Sequence, residues 1–268
     1  MPTKTRCLTA LPVYNEAKHV DGVLDSVALH ADDVLVIDDG STDGTSERLA
    51  QRLAQQPDLQ VITHATNRGY GAALQTAFSE AAKRGYDVLV TIDCDGQHEP
   101  QLIGNLAEQC GRPCQGKADI VSGSRYLDPT AQARKLAPAD RRRVNRTITA
   151  ELNERLGLSI TDAFCGFKAY RVAALRKLRL TEPGYAMPLE LWVQAAHHRL
   201  TVREVAVPLI YLDEERSFGG SLDDARARLD YYRRVINQAA AALPATVDNA
   251  VETAEDPAPC GLNAAFSW

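Results

Sequence analysis

Short hydrophobic runs alternate with amphipathic stretches through the first half of the chain. Cys7–Val13, Val34–Ile37 and Val88–Ile92 are apolar runs with the length of buried strands, and Leu59–Thr63 is a weaker one. Between them, apolar residues recur at the three- or four-residue spacing of a helix: Val20, Val23, Leu24 and Val27, then Leu49 and Leu53, then Leu74, Ala77, Phe78 and Ala81. This alternation predicts an α/β fold with a parallel sheet wound in Rossmann-like fashion.

The second half of the chain continues the pattern less regularly. The elements predicted there are a strand over Asp119–Tyr126, a turn and strand over Thr161–Arg171, an edge strand over Val202–Leu209, and helices over Arg141–Leu156, from Leu189, and over Leu222–Leu243. Residues 214–221 predict a mobile loop because of their glycines. Residues 245–268 are rich in Ala, Pro, Asp and Glu without periodicity, so we expect a single domain over 1–244 followed by a poorly ordered tail.

Composition narrows the class of protein. The chain has 268 residues, 45% hydrophobic and 24% charged, which is typical of a globular protein with a full core. Its net charge of -5 argues against a nucleic-acid-binding protein. No segment approaches the roughly 20 apolar residues of a membrane span. The six cysteines lack the spacing of a zinc site and no signal peptide is visible, so we expect free thiols in a cytoplasmic protein.

Polar groups follow three of the predicted strands, in the loops Pro12–Glu16, Asp38–Asp43 and Asp93–Gln97. Because the carboxyl ends of parallel strands meet at one edge of a sheet, we expect these loops to form a pocket for a polar ligand. The two carboxylates and the amide of the third loop, each two residues apart, suit Mg²⁺ or Mn²⁺ holding phosphate oxygens. The alternative is a polar turn in which one of these aspartates caps a helix.

Other features each have two interpretations. Gly69 and Gly71 either cradle a phosphate at a helix N-terminus or allow close packing of the helix on the sheet. The basic helix over Arg141–Leu156 either has a solvated charged face or contacts anionic lipid head groups or a phosphorylated acceptor. Asp162 and Lys168 are not expected to be core residues, although they could pair with each other.

Glu190 lies among apolar neighbours at the start of a predicted helix. A carboxylate in such surroundings is a helix cap, a buried structural partner or a general base. The sequence pattern favours the structural interpretations, since carboxylates often serve as caps and paired groups.

Seven motifs occur in order over residues 6–222: Leu11–Glu16, Val36–Thr45, Asn67–Gly71, Asp93–Gln97, Gly123–Arg125, Asp162–Lys168 and Arg216–Ser221. Each is weak alone, but the ordered set is specific. With these motifs the chain resembles the family 2 glycosyltransferases of GT-A fold, in particular the branch similar to dolichyl- or polyprenyl-phosphate mannose and glucose synthases. The resemblance implies one GT-A domain, with a mostly parallel sheet flanked by helices and a mobile acceptor-side loop.

The resemblance also implies an activity and a set of residues. The activity is metal-dependent, inverting transfer of a hexose from a donor of the GDP-mannose or UDP-glucose type to a polyprenyl phosphate, with Mg²⁺ or Mn²⁺ as cofactor. The implied metal site is Asp95 and Gln97, with Asp93 reaching the metal or the donor. The implied nucleotide-sugar site is Pro12, Tyr14, Glu16, Ile37, Asp39, Arg68, Asp93, Cys94 and Ser221, and the implied catalytic set is Asp93, Asp95, Arg125, Asp162, Glu190 and Arg216.

The sequence departs from this branch at two places. Leu222 stands where relatives usually carry Lys, which leaves the acceptor open, and the carboxyl-terminal membrane helices of some relatives are missing. We therefore expect peripheral docking at the cytoplasmic face of a membrane through the helix over 141–156. A second copy of the chain, forming a homodimer, is a further candidate partner.

Three alternative functions remain at this point. A soluble hydroxyl or glycan acceptor would need Glu190 or Asp162 as a base. A nucleotidyltransferase would share the sheet and the metal, but it usually has a Gly-rich phosphate loop and a basic residue after the first strand, which Pro12–Glu16 lacks. The third alternative is an inactive protein that binds sugar nucleotides.

Overall fold

The computed structural model describes residues 5–56, 58–128, 138–210, 222 and 224–244. Strands and helices alternate along them as β1 (Cys7–Val13), α1 (Val20–Ala28), β2 (Asp33–Asp38), α2 (Thr45–Gln55), β3 (Gln60–Thr63), α3 (Tyr70–Lys83), β4 (Val88–Thr91), α4 (Ile103–Gln109), β5 (Ile120–Ser124), α5 (Ala139–Leu156), β6 (Lys168–Arg171), α6 (Val172–Leu175), α7 (Met187–His197), β7 (Val202–Ala206) and α8 (Ala225–Ala242). Short 3₁₀ turns cover Pro100–Leu102 and Pro113–Gln115.

The strands form one sheet in the order β3-β2-β1-β4-β6-β5-β7. Neighbours pair in parallel except β6, which runs antiparallel to both β4 and β5. The predicted mostly parallel α/β sheet is therefore confirmed. The reversal of β6 pairs Lys168 with Thr91, so the turn before β6 lies beside the carboxyl end of β4.

Helices cover both faces of the sheet because successive strand residues point to opposite sides. Leu89 of β4 belongs to a core cluster with buried residues of α3, α5, α7 and α8. Its neighbours Val88 and Val90 belong to a second cluster with α1, α2 and α4. Each face is thus sealed by its own apolar layer, and polar ligands are directed to the strand ends.

Most predicted elements are present with small shifts at their ends. β7 ends at Ala206 rather than Leu209, and α8 begins after Asp224, whose Oδ1 accepts a hydrogen bond from Ala227 N. Helices α4 and α6 were missed because they are 7 and 4 residues long, too short for a helical period to be visible. The predicted mobile loop 214–221 and the predicted tail 245–268 lie outside the described residues. The domain limits therefore stay a prediction.

Candidate active site at the carboxyl edge of the sheet

A cavity of about 510 Å³ opens at the carboxyl ends of β1, β2 and β4. The three polar loops meet there, contributing Pro12, Tyr14 and Glu16 after β1, Asp39 after β2, and Asp93, Cys94, Asp95 and Gln97 after β4. The opposite wall comes from the second half of the chain and includes Arg125 and Arg141. The structure therefore brings acidic strand ends and arginines to one space.

The side chains of Tyr70 and His98 hold the Asp93 carboxylate in place. Tyr70 donates its hydroxyl to Asp93 Oδ1 at 2.9 Å, and His98 Nε2 lies 3.3 Å from Oδ2. Burial acts to raise the pKa of Asp93, but the hydrogen bonds from His98 and Tyr70 outweigh it, so the pKa is lowered. A Cβ at Gly166 would clash with both carboxylate oxygens, so this close approach needs a glycine. Asp93 is thus an oriented carboxylate.

Asp95 lies in a polar turn, and it caps neither of the helical segments that follow. Its Oδ1 accepts the backbone N–H of Gln97 at 3.0 Å across a turn in which Gly96 has φ +73°. Asp95 and Gln97 also line the cavity, so the turn leaves both side chains at its wall. Within the described part of the chain no three His, Cys, Asp or Glu side chains converge as a complete metal cage. Mg²⁺-type sites commonly use one or two carboxylates and complete their shell with phosphate oxygens and water, and Asp93, Asp95 and Gln97 fit such a site.

Asp39 ties the end of β2 to the start of α3. Its carboxylate accepts hydrogen bonds from the backbone N–H groups of Arg68 (3.0 Å) and Gly69 (2.7 Å), and His64 Nδ1 lies 2.6 Å away. Asp39 lines the cavity. Arg68 contacts Asp39 through its backbone N–H, and Ile37 is buried in the core.

The start of α3 is closely packed rather than open to a phosphate. A Cβ at Gly69 would meet the carbonyl of Pro183, and one at Gly71 would meet that of Glu182. The Ala72 N–H already donates to Pro183 O at 3.0 Å. The structure therefore favours the packing interpretation of the two glycines over a phosphate cradle.

Arg125 is fixed by a buried carboxylate on the wall opposite the aspartates. Its Nε and Nη2 donate to Asp162 Oδ2 and Oδ1 at 2.6 and 2.9 Å, and Asn145 Nδ2 adds a bond to Oδ1 at 2.8 Å. Burial would raise the pKa of Asp162, but the Arg125 charge and these hydrogen bonds hold it well below its usual range. Contrary to the expectation from the sequence, Asp162 and Lys168 are both buried. Asp162 pairs with Arg125 and not with Lys168, which donates to Cys165 O next to the Trp192 ring.

Glu190 lies apart from the cavity. It is 5% exposed, and its carboxylate accepts hydrogen bonds from Thr181 N (2.9 Å), Thr181 Oγ1 (3.0 Å) and Glu182 N (2.8 Å). This geometry favours the buried structural partner among the interpretations of Glu190. Its role as a base stays a prediction, as do the roles of Arg216 and Ser221, which lie outside the described residues.

Sequence reasoning did not single out several cavity residues. Tyr70 was inside a recognised motif, and its place in that motif could have identified it. Tyr185, which stacks on Tyr70 with ring centroids 6.0 Å apart, and Arg228 of α8 had no local signal. Arg228 is 2% exposed and pairs with Asp140, 88 residues away, at 2.9 Å.

Comparison with known proteins gives the family. The model of glycosyl transferase family 2 matches residues 9–179. The chain belongs to this family. It is accordingly a glycosyltransferase with the GT-A fold, as its motifs indicate.

Two relatives are similar to this chain over most of their length. Undecaprenyl-phosphate mannosyltransferase of Micrococcus luteus is 34% identical over 215 residues, covering 78% of this chain and 85% of that protein. Polyprenol monophosphomannose synthase of Mycolicibacterium smegmatis is 31% identical over 254 residues, covering 88% and 92%.

Among solved structures, glucosyl-3-phosphoglycerate synthase of Mycobacterium tuberculosis aligns with a TM-score of 0.65 at 21% identity, covering 91% of this chain and 83% of that one. Its complex with Mn²⁺, UDP and glucosyl-3-phosphoglycerate aligns with a TM-score of 0.63 at 20% identity, over 91% and 82%. At this identity the likeness shows the fold alone.

Proposed function

We propose that the chain is a metal-dependent, inverting glycosyltransferase that moves a hexose from a GDP- or UDP-sugar to a polyprenyl phosphate. The observation that carries this proposal is the meeting of Asp93, Asp95 and Arg125 around one cavity. It is supported by the two relatives above 30% identity, whose names specify undecaprenyl phosphate and polyprenol monophosphomannose.

The donor would lie along the carboxyl ends of β1 and β2. Tyr14 is 41% exposed and offers a ring face to a base, with Pro12, Glu16 and Asp39 beside it. Asp39 accepts three hydrogen bonds from the protein, so it also fixes the loop against which the nucleoside would rest. Ile37 and Cys94 are buried and would support this surface from beneath, while Arg68 and Ser221 complete the proposed nucleotide-sugar set.

Asp95 and Gln97, with Asp93, would hold Mg²⁺ or Mn²⁺. Bound there, the cation would offset the negative charge that develops on a departing nucleoside diphosphate. The hydrogen bonds from Tyr70 and His98 keep Asp93 ionised and oriented for this role. Mn²⁺ is the first cation to test, because a protein of the same fold was crystallised with Mn²⁺ and UDP.

The acceptor would enter between Arg125 and Arg141 on the opposite wall, with Arg216 as a further contact. A phosphate oxygen is already anionic and attacks without a base, in one displacement that inverts the anomeric carbon. A hydroxyl acceptor would need a base near the reacting atoms. Glu190 is outside the cavity and Asp162 is held in the ion pair with Arg125, so this geometry favours the phosphate.

The acceptor assignment also bears on localisation. In the part of the chain that the structure describes, no helix has both the length and the apolar content to traverse a bilayer. We propose peripheral docking at the cytoplasmic face of a membrane through α5, where a lipid phosphate would reach the cavity.

Nucleotide release tests the proposed function. GDP-mannose, UDP-glucose and UDP-GlcNAc are incubated with Mn²⁺, with and without a short-chain polyprenyl phosphate in detergent, and both free nucleotide and glycolipid are measured. We expect one donor to be consumed, with stimulation by the lipid and loss in a chelator. Asp95→Ala should lower the rate by about 100-fold or more, since it removes a group that stabilises the transition state.

Asp230→Ala, at an exposed position of α8, is the matched control and should retain the wild-type rate. Metal-independent turnover, or an unchanged rate in Asp95→Ala, would contradict the proposal. Pyrophosphate-dependent formation of a nucleoside triphosphate would identify a nucleotidyltransferase instead, and donor binding without turnover would indicate an inactive binding protein.

A further inference from the structure

A second cavity, of about 720 Å³, lies against α5 next to the first. Its wall includes three arginines of this helix, Arg142, Arg143 and Arg146, and we call it the α5 groove. Tyr126 and Asn145 line both cavities, so the groove borders the proposed active site. A ligand in the groove would therefore lie beside the entrance for the acceptor.

The helix separates its side chains into faces with different roles. Val144, Ile148 and Leu152 recur at intervals of four residues and are buried in the core. Another face bonds to α8, where Arg155 donates to Asn237 Oδ1 at 2.9 Å and Glu151 accepts from Arg233. The groove face carries the three arginines, with small or polar neighbours at Ala150, Thr149 and Asn153. Core packing and contact with α8 thus leave the groove face as a separate cationic surface.

The groove arginines differ from the other arginines near the active site in their partners. Arg125 pairs with Asp162 and Arg228 with Asp140. No hydrogen bond or ion pair connects the guanidinium groups of Arg142, Arg143 or Arg146 to another residue in the described ranges. The positive charge of the groove is therefore not offset by a bonded carboxylate there.

One of these arginines has a buried donor. Arg142 Nε is inaccessible to solvent and has no acceptor among the described residues. Buried donors in folded proteins nearly always have a partner, so the described protein leaves the hydrogen-bonding capacity of this guanidinium group incompletely used. Guanidinium groups match the geometry of phosphate oxygens through paired N–H donors, which makes a phosphate the best-suited ligand class.

We propose that the α5 groove binds the phosphate group of an anionic membrane phospholipid, separately from the acceptor phosphate that enters the first cavity. This inference rests on the proposed function, because a lipid acceptor requires the cavity entrance to lie at a bilayer surface. The shared wall at Tyr126 and Asn145 would then place the entrance next to the bound head group. The groove would act as a docking site that holds the enzyme on the membrane.

Vesicle binding tests this inference. The full chain is sedimented with phosphatidylcholine vesicles that contain either no anionic lipid or about 30% phosphatidylglycerol. No acceptor lipid is present. We expect binding only to the anionic vesicles, weakening as salt is raised. The triple variant Arg142→Gln, Arg143→Gln, Arg146→Gln should bind on the order of 100-fold more weakly, at roughly fivefold per arginine.

Two variants keep the test specific. A control replaces three exposed cations elsewhere, Arg112, Lys177 and Arg179, by Gln, which removes the same charge and should retain most of the binding. The variant Arg142→Lys, Arg143→Lys, Arg146→Lys keeps the charge but loses the paired guanidinium donors, so it should bind more weakly than the wild type and more tightly than the glutamine variant. Thermal unfolding and circular dichroism establish that each variant is folded.

The outcomes separate this inference from the proposed function. Equal vesicle binding by the groove variant and the wild type, or no binding by the wild type, would overturn the groove assignment. Full competition by millimolar inorganic phosphate would assign the groove to a free phosphate and also overturn it. The groove variant should keep sugar transfer to a short-chain acceptor in detergent, whereas a wild type that binds vesicles but transfers nothing would contradict the proposed function alone.

Discussion

The two walls of the cavity hold their charged groups by different means. On the sheet side, Asp39 and Asp93 are oriented by backbone N–H groups, the Tyr70 hydroxyl and histidine rings. On the opposite side, Arg125 and Arg228 are each oriented by an ion pair with a carboxylate. Backbone and hydroxyl donors direct a carboxylate without cancelling its charge, whereas an ion pair fixes a guanidinium and offsets much of its charge.

This difference suits two different tasks. The sheet-side wall, which keeps its negative charge, can attract a cation, as a metal-assisted departure of a diphosphate would require. A wall whose arginine is locked by a buried acid presents a guanidinium in a fixed position, which suits the placement of an anionic acceptor. The following changes break or sharpen the contrast between the two walls.

The largest effect is expected on the arginine side. Asp162→Asn removes the charge that compensates Arg125, and breaking a buried ion pair costs about 3–5 kcal/mol of the free energy of unfolding. Chemical denaturation at pH 7 measures it. The double variant with Arg125→Gln removes both charges, so it should be destabilised by less than the sum of the two single variants. Additive losses would show that the pair is not coupled.

The same carboxylate predicts a pH dependence. Because folding lowers the pKa of Asp162, its contribution to stability is complete above the unfolded value of about 3.9 and is lost as the pH falls toward the folded value. Between about pH 5 and pH 3 the wild type should therefore lose more stability than Asp162→Asn. Parallel stability curves over this range would contradict the assignment.

An intermediate effect is expected on the carboxylate side. Gly166→Ala places a Cβ against both oxygens of Asp93, so the carboxylate must move. A displacement of about 1 Å at a reacting centre can cost on the order of 100-fold, and we expect a fall in kcat/KM of roughly 10- to 100-fold. Steady-state kinetics over a range of Mn²⁺ concentrations should show a higher requirement for the metal.

Gly104→Ala is the matched control for this change. Gly104 lies in α4, and a Cβ there meets no atom within 4 Å. Alanine at this position should leave kcat/KM unchanged and stabilise the helix by up to about 1 kcal/mol. Normal activity in Gly166→Ala would mean that the position of Asp93 is not critical.

The smallest effect on sugar transfer is expected at Glu190, which belongs to neither wall. Glu190→Gln disturbs the hydrogen bonds to Thr181 and Glu182 and should lower the free energy of unfolding by about 1–3 kcal/mol. The kcat should change by less than about threefold, since no acceptor base is required. A loss of roughly 100-fold or more in a folded variant would restore Glu190 as the base.

The sequence by itself determined the local elements and the kind of chemistry they carry. Apolar periods predicted the principal strands and helices because burial of one face is encoded in the spacing of neighbouring residues. The placement of Asp39, Asp93 and Asp95 at a common edge also followed, since consecutive parallel strands end on the same side of a sheet.

Only the tertiary structure decided which distant residues meet. The reversal of β6 brings Gly166 against Asp93, and Asp162 is joined to Arg125 rather than to Lys168. The arginines of α5 are likewise divided between two cavities by the packing of α8 and the core. The physical reason is that strand order and side-chain direction set these contacts, and neither is specified by the local spacing of residues.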